Sequence, residues 1–184
     1  MPTPPLLYDA VTLRHFSSCQ SLALCELIHS PLGIPHWAEA VKGEIERAAA
    51  LGLPECPGVL TQAWLGTPIT PTLADQPGIV RVWIALNGGQ HSPKGNAGEA
   101  QSIYFAEQMG GTFATDDNAA YDFAAKPRRL GAARVIDTVD ILRQAVAEGH
   151  LSAADAVNIA VGIRRARRFL RHIHPMTLTE GYFR

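Results

Sequence analysis

Acids at the ends of apolar runs are the first residues in this sequence that could do chemistry. PPLLYD ends on Asp9, and GTFATDD ends on the adjacent pair Asp116 and Asp117. Acids are poor strand formers and neighbouring like charges repel, so a pair closing a buried run needs a reason. Two more acids fall on helical patterns, Glu44 in WAEAVKGEIERAAALG and Glu99 in NAGEAQSIYFAEQMG. If the fold gathers Asp9, Glu44, Glu99 and Asp116, with Asp117 beside them, the cluster repels itself steeply. A divalent cation would cancel that repulsion, and oxygen-only ligands suit Mg2+ or Mn2+. Such an ion activates water and neutralises charge on a phosphodiester in the transition state.

Each acid also has a purely structural role open to it. Asp9 could cap the helix that follows it. Glu99 lies three residues after Asn96, which fits an N-capping box. Glu44 shares its helix with Glu39 and Glu46 and could lie on an exposed face, and Asp116 and Asp117 could serve a turn and a cap. Asp122 reads as helix surface or as a residue supporting the acids from behind. Singly the signals are weak; together they sit where one topology would collect them.

That topology follows from the alternation of patterns. PPLLYD, PLGIP, GIVRVWIALN (Gly78 to Asn87), GTFAT and AARVID read as strands. AVTLRHFSSC, QSLALCELIH, the segments of Glu44 and Glu99, NAAYDFAAKP, TVDILRQAVAEG and SAADAVNIAVGIRRARRFLRHI read as helices. Trp37, Val41, Ile45 and Ala48 have helical spacing; Ala100, Ile103, Tyr104 and Met109 are expected to face inward. Thr138 and Ser152 are the expected N-caps of the last two helices. Leu53 to Gly78 reads as loop with one helical turn, and GGQHSPKG as a polar loop. Alternating strands and helices predict a three-layer α/β/α domain with a mostly parallel central sheet. In such sheets ligands bind beyond the carboxyl ends of the strands, where Asp9 and Asp116 fall.

Composition narrows the class. The 184 residues are 47% hydrophobic and 18% charged, enough for one packed domain spanning 1–184, with a basic C-terminal helix and tail over 152–184. Sixteen basic against seventeen acidic residues give no global pull toward a polyanion, so any such site must be a local patch. Three scattered cysteines make neither a disulfide frame nor a paired zinc site, which points to a reducing cytoplasm, and Cys19 and Cys25 read as core. No apolar run reaches the roughly 20 residues of a membrane span, and the N-terminal residues do not pattern as a signal peptide. GxSxG and Walker A motifs are absent, and His172 and His174 lack acid or Cys partners. A receiver-like acidic pocket would need a Lys after the strand ending at Asp137, and none follows.

LLYDAVTLRHF, AEAVKGEIERA and NAGEAQSIYFAEQMGGTFATDDNAAYDFA, in that order, resemble a PIN domain, and VIDTVDILRQAVAEGHLSAADA resembles its usual continuation. The resemblance covers about residues 5 to 160. Leu53 to Ile79 carries no matching motif. PIN domains are metal-dependent nucleases, and many small bacterial ones are similar to VapC-like ribonuclease toxins. The resemblance implies Asp9 as first acid, Glu44 as second, Glu99 (where many members have Asp) as third, and the TDD segment as fourth. Asp116 is the expected ligand with Asp117 a close helper, and Thr115 the residue that orients a carboxylate or water. Asp9, Glu99, Asp116 and Asp117 would hold Mg2+ or Mn2+. The implied activity is hydrolysis of RNA phosphodiesters, and the implied partners are an RNA substrate, a small antitoxin and a second copy of the chain. A catalytically inert PIN-like interaction module is the alternative. Arg14 and Lys94, near the acidic edge, and Arg164 and Arg168, in the run RRARRFLRHIH with Arg165, Arg167 and Arg171, are the candidate RNA contacts. The same run could equally be a solvated helix face.

Overall fold

The computed structural model describes residues 4–28, 33–89, 95–166, 168–171 and 178–183. Among the described residues, four short parallel strands make one sheet in the order β2-β1-β3-β4: β1 Pro5–Tyr8, β2 Ile34–Trp37, β3 Thr112–Ala114 and β4 Val135–Ile136. Leu6 pairs with Pro35 on one side and Thr112 on the other, and Ala114 pairs with Ile136. β1 is therefore central. It is wholly buried, which explains a continuous apolar run in place of an alternating one. Pro5 opens the strand, a position that tolerates its missing N–H.

Helices cover both faces, as the sequence pattern predicts for a three-layer α/β/α fold. In chain order they are α1 Ala10–Ser18, α2 Leu22–Leu27, α3 Glu39–Ala50, α4 Cys56–Leu60, α5 Gln76–Leu86, α6 Ala97–Met109, α7 Asn118–Ala124, α8 Thr138–Ala147 and α9 Ala153–Arg165. α6 lies along β1 and β3 and packs on α3 and α5, while α1 packs on α2 and α9, and α8 on α9. Leu6, Leu7, Ile45, Ile103, Phe113, Ile141 and Ile163 meet in one continuous core. No described helix is long and apolar enough to cross a membrane.

Several elements differ from the sequence reading. Gly78 to Asn87 is not a strand but most of α5. Its β-branched residues suggest a strand, yet Ile79 and Val82 are buried and Trp83 and Leu86 half-buried, a helical stripe that packing rewards. Gly78 is required there: a Cβ would stand 2.2 Å from the ring of Tyr104 on α6. Trp37 belongs to β2 and not to α3, so the PLGIP strand moves toward the C-terminus; Pro31 and Leu32 lie outside the described residues. Leu53 to Gly78 holds α4 and a 3-10 turn at Ala63–Leu65, more structure than one helical turn. Met109 is half-exposed, not inward. In AARVID only Val135 and Ile136 pair as strand, after a 3-10 turn. Asp137, not Thr138, caps α8, in a capping box with Asp140. α9 stops at Arg165, short of the expected end, and its Ser152 accepts from the N–H of Asp155 as expected. GGQHSPKG lies mostly outside the described residues.

Candidate active site

The strand hydrogen bonds run one residue past each strand, and this aligns the acids. Asp9 N–H donates to Ala114 O (3.0 Å), and Thr115 N–H to Ile136 O (2.9 Å). Asp9, Thr115 and Asp137 thus stand side by side at the carboxyl edge of the sheet. Asp9 is the N-cap of α1: its Oδ1 accepts from Thr12 N–H at 2.6 Å. Its Oδ2 accepts a very short bond from the Thr115 hydroxyl. Thr115 Oγ1 in turn accepts from Asp117 N–H at 3.1 Å. So the acid that closes β1 also caps α1. A carboxylate offers about four acceptor sites, and these bonds occupy two of Asp9's. Asp9 is buried to 1% exposure, and burial, reinforced by the charge of Asp116, lifts its carboxyl to about 7.

Glu44 and Glu99 meet at the start of α6. Asn96, before this helix, is in the left-handed region and makes no side-chain cap, so no Asn96–Glu99 capping box forms. The N–H of Gly98 instead donates to Glu44 Oε1 at 3.1 Å, from the neighbouring α3. A Cβ on Gly98 would stand 2.8 Å from that oxygen, so a glycine is what admits the carboxylate. Glu44 is raised by burial, against the pull of Arg47 and Arg14. Glu99 is raised further, to about 8, by burial and then by the charges of Glu44, Asp9 and Asp117. Its Oε2 is buried and has no hydrogen-bond partner. An orphaned buried carboxylate oxygen is costly and rare in a native fold.

Asp116 and Asp117 have separate surroundings. Asp116 is buried, and its Oδ2 accepts from the hydroxyls of Thr138 (2.5 Å) and Thr12 (3.1 Å), with His15 Nδ1 at 3.1 Å. Its Oδ1 accepts from Thr138 N–H at 3.3 Å. These bonds tie the end of β3 to α1 and α8. Asp117 is half-buried, caps α7 through Ala120 N–H (2.8 Å), and is one of the charges that act on Glu99. The sequence reading offers Thr138 only as a helix cap and does not single out His15 or Thr12; a Thr just after an acid-terminated strand is the one signal for this role.

The basic candidates are partly neutralised. Arg14 and Arg168 both bind Glu55 Oε1, Arg14 at 2.9 Å. Arg14 also acts on Glu44, so it does lie by the acidic edge. Arg168 is beyond the end of α9, as is Arg171, which is buried and donates to Asp122 Oδ1 at 2.7 Å. Asp122 is thus an anchor for the C-terminal segment. The expected single basic helix face does not form. Arg164 is half-exposed in the last turn of α9. Lys94 and Arg167 lie outside the described residues.

As the side chains stand, no three acidic, His or Cys residues among those described converge closely enough to hold a metal ion. The donor set still suits a hard cation. Asp9, Glu44, Glu99 and Asp117 offer only oxygen, retain acceptor capacity, and include one orphaned oxygen. A larger cavity, about 730 Å3, opens at the β4 edge between α8 and Phe183, but none of these acids lines it. No family model, curated protein or solved structure matches the chain.

Proposed function

We propose that the carboxyl edge is a divalent-cation site of a PIN-like endoribonuclease. The observation that carries this reading is Glu99: its buried oxygen has no partner while Glu44, Asp9 and Asp117 all press negative charge upon it. A fold that only needed a stable helix start would not collect these carboxylates, because each raises the others' cost. A cation offsets that cost.

Asp9, Glu99 and Asp117 would hold Mg2+ or Mn2+, with Glu44 behind Glu99. When bound there, the ion supplies charge neutralisation at phosphorus and a more acidic water for in-line attack. Thr115 fixes Asp9 and receives the N–H of Asp117, so one hydroxyl orients two of the acids. Asp116 is assigned to the scaffold, since four contacts already engage it. Arg14, bound to Glu55 and close to Glu44, is the cation that a phosphate at this edge would meet. In its fuller form the reading is a VapC-like toxin, cytoplasmic and homodimeric, held in check by a small antitoxin.

One observation favours the second reading, an inert PIN-like interaction module: the described carboxylates do not converge as placed. Two measurements decide. Labelled single-stranded and structured RNA is incubated with the protein in Mn2+ or in EDTA, and the products are sized. The nuclease reading expects cleavage in Mn2+, none in EDTA, and at least about 100-fold loss in Asp9→Asn and Glu99→Gln. Cleavage undiminished in EDTA overturns it. Calorimetric titration with Mn2+ that shows no carboxylate-dependent heat supports the inert module.

A further inference from the structure

The segment after α9 packs on α7 and Glu55, beside Asp116 and Asp117. Arg168 binds Glu55, Leu170 is buried, and Arg171 donates to Asn118 O (3.3 Å) and Asp122 and lies over the ring of Tyr121, 3.7 Å from its centroid. Between these anchors Phe169 points outward and is 62% exposed. Its place is therefore held from both sides. Phe169 and Arg168 form one wall of a cavity of about 470 Å3, whose other walls include Val11, Asn118, Asp116 and Asp117. That volume falls within the range of small-molecule sites.

A bare aromatic ring beside a polar, acid-floored cavity is an expensive arrangement in water. Single-stranded RNA is recognised largely by stacking of unstacked bases on such rings. Charge agrees with this occupant. Arg168 stands at the rim, and because Arg14 also binds Glu55 Oε1, that carboxylate is not held by Arg168 alone and a phosphate can compete for it. Asn118 is exposed at the same rim and offers both a donor and an acceptor to a base edge.

We propose that Phe169 is the stacking platform of a nucleotide subsite next to Asp117, which receives the base flanking the scissile phosphate, with Arg168 at its backbone. The subsite rests on the ribonuclease reading above, and it adds where the substrate lies and which end of the chain holds it. Ring exposure, not the acids, sets the affinity of this position.

The test is fluorescence anisotropy of a labelled 12-nucleotide single-stranded RNA with the full chain in EDTA, where no cleavage is expected. Wild type is compared with Phe169→Ala, Phe169→Leu, Phe169→Tyr and Phe169→Trp. Loss of one stacked base weakens binding about 5- to 150-fold. The Ala and Leu variants show that loss, Tyr stays near wild type, and the added Trp is quenched when RNA binds. An abasic nucleotide at the stacked position weakens wild type and adds nothing in Phe169→Ala. Ala or Leu variants that bind within about 2-fold of wild type overturn the subsite while leaving the nuclease reading intact. If those same variants lose self-association on gel filtration, the ring belongs to a protein interface instead. A wild type that binds no RNA in EDTA overturns the subsite and leaves the metal-dependent nuclease reading to the cleavage assay.

Discussion

Replacing Glu99 by Gln should stabilise the metal-free protein, the opposite of what most substitutions of a half-buried residue do. In the unfolded chain this carboxyl loses its proton near 4.5, and in the fold it keeps it to about 8. Between those values the folded state holds the extra proton, so stability falls as pH rises. Below about 4.5 no penalty is felt, and above about 8 it is complete. Each pH unit crossed is worth about 1.4 kcal/mol, which bounds the whole effect at about 5 kcal/mol. Relaxation and water entry at a half-buried group reduce it, so about 1–3 kcal/mol at pH 8 is expected. Gln keeps the shape and removes the charge. The assay is urea unfolding in EDTA at pH 5, 6.5 and 8. Wild type should lose stability across the series, while Glu99→Gln should lose less and surpass wild type at pH 8. Asp9 and Asp137, both lifted to about 7, leave a residual slope in the variant. Millimolar Mn2+ should restore wild type at pH 8 by mass action and leave the variant unmoved. Equal slopes in the two proteins would refute the placement of Glu99 against Glu44, Asp9 and Asp117.

Other substitutions separate scaffold from site. Asp116→Asn should cost about 1–3 kcal/mol in urea unfolding, because the hydroxyls of Thr12 and Thr138 lose a charged acceptor; a silent variant would contradict its structural role. Asp117→Ala should cost only about 1 kcal/mol, the worth of a helix cap, yet abolish Mn2+ binding in calorimetry. Gly98→Ala places a Cβ 2.8 Å from Glu44 Oε1, so about 1–3 kcal/mol of stability and most Mn2+ affinity should go together; loss of only one would separate Glu44 from the site. Thr115→Val removes the bond that the Asp9 carboxylate accepts, and RNA cleavage in Mn2+ should drop about 10-fold or more while the fold, read by circular dichroism, persists.

Much of the fold could be read because its signals are short-range. A buried apolar run followed by Asp is at once a strand end and a helix cap, and Asp9, Asp117 and Asp137 all take that form. Glu44 and Glu99 lie on strongly patterned helices, so their elements and their approach are legible, while the contact that joins them, Gly98 N–H to Glu44 Oε1, has no local signal. The sequence signals that failed were outweighed by tertiary packing. Gly78 to Leu86 has strand composition but packs as a helix, because a stripe of Ile79, Val82, Trp83 and Leu86 finds partners at helical spacing. α9 ends without a Gly or Pro after Arg165. Glu55 and Asp122, far away in sequence, pull Arg168 and Arg171 off the helical path, and no local pattern announces them.

The choice between Asp116 and Asp117 was illegible for a geometric reason. Successive residues of an extended chain point to opposite sides, so of two adjacent acids past a strand end only one can face α6. Which one depends on where β3 stops, and a shift of one residue exchanges their roles. The pairing of Ala114 with Ile136, continued by Thr115 N–H to Ile136 O, sets that register. It turns Asp116 toward α1 and α8, where Thr12, His15 and Thr138 receive it, and leaves Asp117 to the side of Glu99. The repulsion that makes the pair look improbable in the sequence is relieved by this division. One acid is held by hydroxyls in the interior, the other stands beside Glu99.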